Sequence, residues 1–245
     1  MSLSPLELER YSRQIPIAGW GVEGQRRLKG AEIVVVGIGG LGCLSSLYLA
    51  AAGVGRIILV DKERFELNNM NRQILCWHDD LGRFKAEVAK EKLEAFNPEI
   101  EVEAVVSEVT EGNVKEIVGE ADVVVDGLDN WGTRFIINEY CVRESVPFVH
   151  AGASGMCGQI TTIIPIEGPC LRCIFPEAPP EVENVPVLGA TPAFLASLQV
   201  METVKLITGI GTPLVGRILF IEGEEMTVED VKIKRTADCP VCGDL

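Results

Sequence analysis

The stretch Ala31-Glu-Ile-Val-Val-Val36-Gly37-Ile-Gly39-Gly40-Leu-Gly42 decides the fold. Its first half is a short apolar run rich in β-branched residues, the composition of a parallel strand buried on both faces. Its second half is a glycine fingerprint. Gly37 permits the tight bend, Gly39 lets backbone approach a phosphate, and Gly42 lets helix and strand pack closely, while the helix amino end favours negative charge. A bare fingerprint is a weak signal, but this one follows a strand and opens a helix.

Working outward, Leu44 to Ala52 supplies good helix formers, Gly53 and Gly55 end that helix, and Arg56-Ile-Ile-Leu-Val60 is a second buried strand finishing in Asp61. The unit is βαβ, and a carboxylate at the place of Asp61 can bind ribose hydroxyls. Ala86, Ala89, Leu93 and Phe96 recur at helical spacing before Asn97-Pro98. Strands follow at 101–106, 122–126 and 147–151, with a helix over 132–143 between the last two. This alternation predicts an α/β, Rossmann-like doubly wound sheet, mostly parallel, with its ligand site at the carboxyl ends of the strands. Strand-like runs at 158–164, 217–221 and 226–233 extend it in mixed or antiparallel fashion. Thr191-Pro192 reads as an N-cap followed by a first-turn proline, with Gly209 closing that helix. The proline-rich stretch 174–190 has no periodicity and reads as an exposed crossing loop.

The 245 residues carry 22 Lys and Arg against 36 Asp and Glu, a formal charge of −14. Such a balance disfavours a phosphate-backbone footprint, so nucleic acid is not an expected partner. Hydrophobic residues make up 47%, enough for a substantial core. No secretory signal or membrane-spanning stretch is visible, and eight cysteines read as intracellular thiols, so the cytoplasm is the expected compartment.

The glycine turn does not choose between ATP and NAD. Downstream of Asp61 lies a polar stretch with Asn68, Asn69, Met70, Asn71, Arg72 and Gln73, and Lys85 opens the next helix. A dehydrogenase needs no cluster of fixed cations there. In-line attack on an α-phosphate with pyrophosphate leaving does, because charge develops on several oxygens at once. The plainer reading of Arg72 and Lys85 is surface charge. Asp129 and Asn130 follow a buried strand, where Asp129 can hold Mg²⁺ against phosphates or be an ordinary turn carboxylate.

Cys170-x-x-Cys173 and Cys239-x-x-Cys242 supply four thiolates in the arrangement zinc prefers, and four protein ligands leave no open position, so the expected role is structural. A redox pair is the alternative. Cys43, Cys76 and Cys141 read as small buried thiols, and Cys157, in a Gly-rich turn, as the accessible one. His78 and His150 form no nucleophile–base constellation that the sequence shows.

Together these segments resemble the ubiquitin-activating-enzyme-like family that includes MoeB, ThiF and HesA. The resemblance runs from Arg10-Tyr-Ser-Arg13-Gln-Ile15 through Gly37 to Gly42, Ala52-Gly-Val-Gly55, Asp61, Asn71-Arg72-Gln73, Lys85, Asp129-Asn130, Gly158-Gln159 and Pro169-Cys-x-x-Cys173 to Cys239-x-x-Cys242. It implies one ThiF-type adenylation domain over 1–245, with a nucleotide-binding half at 31–151 and a carrier- and zinc-binding half at 152–245. It places Gly37, Gly39, Gly40, Gly42, Asp61, Asn68 to Gln73, Lys85, Asp129 and Asn130 around ATP and Mg²⁺, with structural Zn²⁺ on the four cysteines. Arg13 matches an arginine lent to the neighbouring subunit of a homodimer. The implied chemistry is adenylation of the C-terminal Gly-Gly carboxylate of a small ubiquitin-like sulfur carrier, MoaD-like or ThiS-like, with sulfur from a separate donor. Arg13, Arg72, Lys85 and Asp129 are the expected catalytic set. The loop cysteine of thioester-forming relatives aligns with Asn184, and no cysteine occurs between Cys173 and Cys239, so adenylation without a loop thioester is expected. An NAD-dependent oxidoreductase and a catalytically silent carrier-binding subunit are the competing readings.

Overall fold

Residues Glu32–Val36 form strand β1, and its alternating side chains enter two separate apolar layers: Ile33 and Val35 on one face, Val34 and Val36 on the other. A strand covered on both sides needs no polar alternation, which is why its sequence reads as continuous Val and Ile. The computed structural model describes residues 2–180 and 185–244. Helices α1 (Pro5–Arg10) and α2 (Gly21–Gly30) precede β1; α3 (Gly40–Ala52), β2 (Arg56–Val60), α4 (Lys85–Phe96), β3 (Glu101–Val105), α5 (Val114–Val118), β4 (Val123–Asp126), α6 (Trp131–Glu144), β5 (Phe148–Ser154) and β6 (Cys157–Ile163) follow it. The short α7 (Leu171–Ile174), the long α8 (Ala190–Thr208), β7 (Arg217–Glu222) and β8 (Thr227–Lys232) complete the order.

All eight strands join one sheet in the order β3-β2-β1-β4-β5-β6-β7-β8. The first five run parallel, and β5 through β8 pair antiparallel. Leu28 of α2, Leu49 of α3, Leu93 of α4 and Val204 of α8 pack on one face; Ile117 of α5 and Phe135, Ile137 and Tyr140 of α6 pack on the other. This is the doubly wound arrangement expected from the alternation of elements, with the expected antiparallel extension.

The chain leaves β1 toward β2 and β3, then returns to β4 on the opposite side of β1. A crevice opens where the strand order reverses, beyond the carboxyl ends of β1 and β4. Three glycines close its floor. Gly37 has φ +88°, a Cβ on Gly42 would stand 1.8 Å from the Gly37 carbonyl oxygen, and one on Gly127 would stand 2.1 Å from the same atom. No side chain fits between these backbones, so the strand end, the helix start and the β4 turn meet in direct contact.

Some boundaries differ from the sequence expectation. Helix α3 begins at Gly40 rather than Leu44, with Gly39 as its N-cap, so the fingerprint itself forms the first turn. Helix α8 begins at Ala190 with Gly189 as its N-cap, and Thr191 does not cap it: its hydroxyl donates to the Gly155 carbonyl at 2.9 Å. The reason is steric, since a Cβ at Gly189 would lie 2.1 Å from the Asn71 carbonyl oxygen, so only glycine lets the chain turn there. Helices α1 and α5 were not legible by period, yet α1 carries a capping box in which the Ser4 hydroxyl accepts from Glu7 N at 3.1 Å and Ser4 N donates to the Glu7 carboxylate at 2.6 Å. The crossing stretch is also less detached than its composition suggests. Gly155 N donates to Pro186 O at 2.6 Å and Leu188 N to Gly155 O at 3.1 Å, which ties 186–188 onto the β5–β6 hairpin. Asn184 lies outside the described residues.

Candidate active site

The crevice is a cavity of about 690 Å³ lined by Gly37, Gly39, Gly40, Asp61, Arg72, Gln73, Lys85, Asp129 and Asn130, and on the far side by Trp131, Arg134, Gly152, Cys157, Gly158 and Gln159. Strand ends, helix starts and loops distant in the chain converge there. Of the remaining residues expected at the site, Gly42 sits under the floor, and Asn68, Asn69, Met70 and Asn71 build the turn that carries Arg72 without themselves lining the cavity. Arg13 is exposed, in the turns after α1, and does not line it either.

The groups on the glycine-turn side are positioned by short-range contacts. Asp61 accepts from Ile38 N at 2.7 Å with one oxygen and from Glu63 N at 2.7 Å with the other, which ties the end of β2 to the glycine turn. Burial pushes its carboxyl above the usual range, and the two amides with Lys85 offset part of that rise. Lys85, at the first position of α4, is 4% exposed and its Nζ lies 2.6 Å from the Glu63 carboxylate. Sequence reading missed Glu63, which lines the cavity and holds this buried cation in place. Arg72 donates to Asn68 O at 3.0 Å and to the Asn71 side-chain oxygen at 2.8 Å, so its guanidinium is braced by its own turn. Gln73 is 3% exposed, and its side-chain oxygen has no hydrogen-bond partner among the described residues.

Asp129 is exposed in the β4–α6 turn and lines the cavity. Asn130 serves the scaffold, since its side-chain oxygen accepts from Thr133 N at 2.9 Å and caps α6. The turn reading of an Asp-Asn pair thus holds for Asn130, which presents Asp129 to the cavity.

A buried network behind the far wall was not legible in the sequence. Asp126, at the end of β4, accepts from Arg134 Nε at 3.0 Å, from His150 Nδ1 at 2.6 Å and from Leu128 N at 2.9 Å, and neither Asp126 nor His150 has any exposed surface. Arg134 also donates to the carbonyls of Leu128 and Ala151. Burial pushes the Asp126 carboxyl up, but Arg134, His150 and the Leu128 amide outweigh it and hold it below the usual range. Burial dominates at His150, pushing the imidazole down despite Asp126. The sequence contained Asp126, Arg134 and His150 but gave no sign that β4, α6 and β5 bring them together.

Cys157 is the exposed thiol, as its turn suggested, 3.5 Å from the Glu222 carboxylate; partial desolvation and Glu222 push it up, away from nucleophilic thiolate. Cys43, Cys76 and Cys141 are buried, and burial pushes the Cys43 thiol up to about 12.

Against α6, whose Asn138 side-chain oxygen accepts from Leu171 N at 2.8 Å, Cys170, Cys173, Cys239 and Cys242 bring their sulfurs within 4.8 Å of one another. Cys170 and Cys239 sulfurs are 3.6 Å apart and those of Cys173 and Cys242 are 3.4 Å apart. A tetrahedron with metal–sulfur bonds of about 2.3 Å has edges of about 3.8 Å, so the four thiols stand close to the arrangement a zinc ion takes. No described helix is long and apolar enough to cross a membrane.

Comparison with known proteins adds three kinds of likeness. A profile of the ThiF family matches residues 11–241. The SAMP-activating enzyme E1 of Haloferax volcanii is 43% identical over the whole of this chain and 92% of its own length, and the sulfur carrier protein adenylyltransferase of Thermus thermophilus is 41% identical over 97% of this chain and 92% of its own. Among solved structures, E. coli MccB crystallised with ATP superposes with a TM-score of 0.80 and 29% identity over 91% of this chain and 69% of that one.

Proposed function

The chain belongs to the ThiF family, and from that premise we propose that it adenylates the C-terminal carboxylate of a small ubiquitin-like sulfur carrier. One observation carries the reading: a buried ammonium (Lys85), a braced guanidinium (Arg72), a ribose-competent carboxylate (Asp61) and an exposed acid (Asp129) all face one cavity above a glycine turn that excludes side chains. A dinucleotide oxidoreductase has no use for that cationic set.

In this reading the triphosphate lies over the Gly37–Gly42 turn, with Asp61 on the ribose. The carrier's carboxylate oxygen forms a bond to the α-phosphorus as the bond to the pyrophosphate oxygen breaks, giving acyl-adenylate and pyrophosphate. No general base is required, because a carboxyl group is already ionised at neutral pH. Lys85 exchanges Glu63 for phosphate oxygen, and Arg72 neutralises a second oxygen; both act on charge that grows in the transition state. Asp129 is the residue that would hold Mg²⁺, which neutralises phosphate charge when bound. Arg13, exposed and away from this chain's own cavity, is the residue a homodimer would lend to its partner subunit.

The four-cysteine cluster is assigned a structural Zn²⁺. Dialysis against a strong chelator should release about one zinc per chain and lower Tm; a chain that purifies without zinc and is unmoved by chelator defeats the assignment.

ATP–pyrophosphate exchange against purified MoaD-like and ThiS-like carriers, each with and without its terminal Gly-Gly, tests the function. Exchange with one carrier, lost when its tail is removed, is the expected result and identifies the pathway. Silence with every carrier sinks it. Mass spectrometry of the same mixture should show no carrier adduct on any cysteine, Cys157 included.

A further inference from the structure

The Asp126–Arg134–His150 network sets the chemistry of the far wall through one more residue, Gln159. Asp126 is a buried anion already matched by the Arg134 cation. A second buried cation beside them would be uncompensated, so the imidazole is neutral. A carboxylate oxygen 2.6 Å from Nδ1 requires the proton on Nδ1, which leaves Nε2 as a hydrogen-bond acceptor. Gln159 Nε2 lies 3.3 Å from that nitrogen. The amide therefore has one permitted orientation, in which its NH₂ faces His150 and its carbonyl oxygen is left for the cavity. That oxygen has no hydrogen-bond partner among the described residues, and Gln159 lines the cavity. Gly152 stands opposite Gln159 in the β5–β6 register, and even an added Cβ there would make only ordinary contact with the amide at 3.5 Å, so the neighbouring strand does not crowd it out of this orientation.

A group that docks on this oxygen must be a donor. Phosphate and carboxylate oxygens are excluded, since acceptors repel. The nucleoside's donors are excluded by distance: β2, which carries Asp61, is four strand spacings from β6, roughly 19 Å. Among the donors left, the one that every Gly-Gly tail brings with it, whatever its side chains, is the backbone N–H.

Resting on the adenylation reading above, we propose that Gln159 is a specificity-determining residue that accepts the N–H of the substrate tail's last peptide bond, with His150, Asp126 and Arg134 as positioning residues that lock its orientation. The wall thus recognises a main-chain amide, not a side chain, and rejects a tail whose terminal linkage lacks that proton.

A tail peptide ending in Gly-Gly and its analogue ending in Gly-glycolate, which replaces the last N–H by an ester oxygen, separate the possibilities by calorimetry. The wild-type protein should bind the amide tail about tenfold more tightly, a factor typical of one lost hydrogen bond. Gln159→Leu should bind the two alike, and His150→Phe, which unlocks the amide, should show an intermediate ratio. Equal affinity in the wild type, no binding of either tail, or an undiminished ratio in Gln159→Leu overturns the proposal. The tautomer has its own readout: the chain has 2 histidines, so ¹⁵N spectra of wild type and His150→Phe identify His150 directly. Protonation at Nδ1 near pH 7 is expected; an Nε2–H or doubly protonated ring overturns the lock even if a variant fails to fold. Pyrophosphate exchange in parallel keeps the two levels apart. Discrimination between tails without exchange sinks adenylation and leaves Gln159 standing, whereas exchange without discrimination does the reverse.

Discussion

The two walls of the cavity are held by different forces. On the glycine-turn side the shape comes from backbone meeting backbone, at Gly37, Gly42 and Gly127, and the cations are steadied by neighbours a few residues away or at the next loop. On the far side the shape comes from a buried charge pair and an imidazole contributed by β4, α6 and β5. The first wall depends on what is absent, namely side chains; the second on what is fully satisfied. They should therefore fail differently.

The largest effect is expected at Asp126→Ala, which strands Arg134 as an unpaired buried cation. Removing one partner of such a pair costs about 3–5 kcal/mol, and thermal unfolding should fall by roughly 6–20 °C. A change of under about 1 kcal/mol would mean that the network is incidental to the wall. Next comes Lys85→Met. Its Nζ pairs with an exposed acid at the rim, so stability should move little while pyrophosphate exchange drops about 10²–10³-fold, the scale for losing one preorganised charge-stabilising group. Equal loss of stability and rate would put Lys85 in the scaffold instead. Gly42→Ala probes the backbone wall: its Cβ has no room beside the Gly37 carbonyl, and overpacking there should cost about 2–3 kcal/mol in denaturant unfolding, with nucleotide binding weakened alongside.

The smallest effect is in pH dependence, and both buried groups push the same way. The Asp126 carboxyl is held low in the fold, so its stabilisation is present above the ordinary carboxylate range and is lost as pH falls. The His150 imidazole is also held low, so below about pH 6.5 the unfolded chain takes up a proton that the folded one refuses, and stability declines further. His150 can contribute a slope of up to about 1.4 kcal/mol per pH unit between roughly pH 6.5 and 5, which His150→Gln should remove. An unchanged slope in that variant would show that the ring protonates freely in place.

The same contrast explains what was legible in the sequence. Much of what depends on local chain geometry could be read: the strand before Gly37, the fingerprint, the alternation that gives the parallel half, the Cys-x-x-Cys spacing; the Ser4–Glu7 capping box of α1 is a local signal that was passed over. Asp61 and Asp129 could be placed because each follows a strand whose end could be located, and Lys85 because it opens a helix whose period could be read; Arg72 was picked out by its charge in a polar stretch. The N-cap of α8 was misplaced because Gly189 answers to the Asn71 carbonyl, more than a hundred residues away in the chain. Glu63 and the Asp126–Arg134–His150–Gln159 chain were missed for the same reason: their meaning lies in pairing across strands, and no spacing rule announces it.

The contact between the Gly37 carbonyl and Gly127 has a last consequence. Because backbone touches backbone there, the glycine turn and the β4 turn cannot slide past one another, and Asp129, two residues beyond Gly127, inherits that fixed origin. The base of its side chain therefore starts from a pinned point at the cavity wall, and repacking of side chains elsewhere leaves that starting point in place.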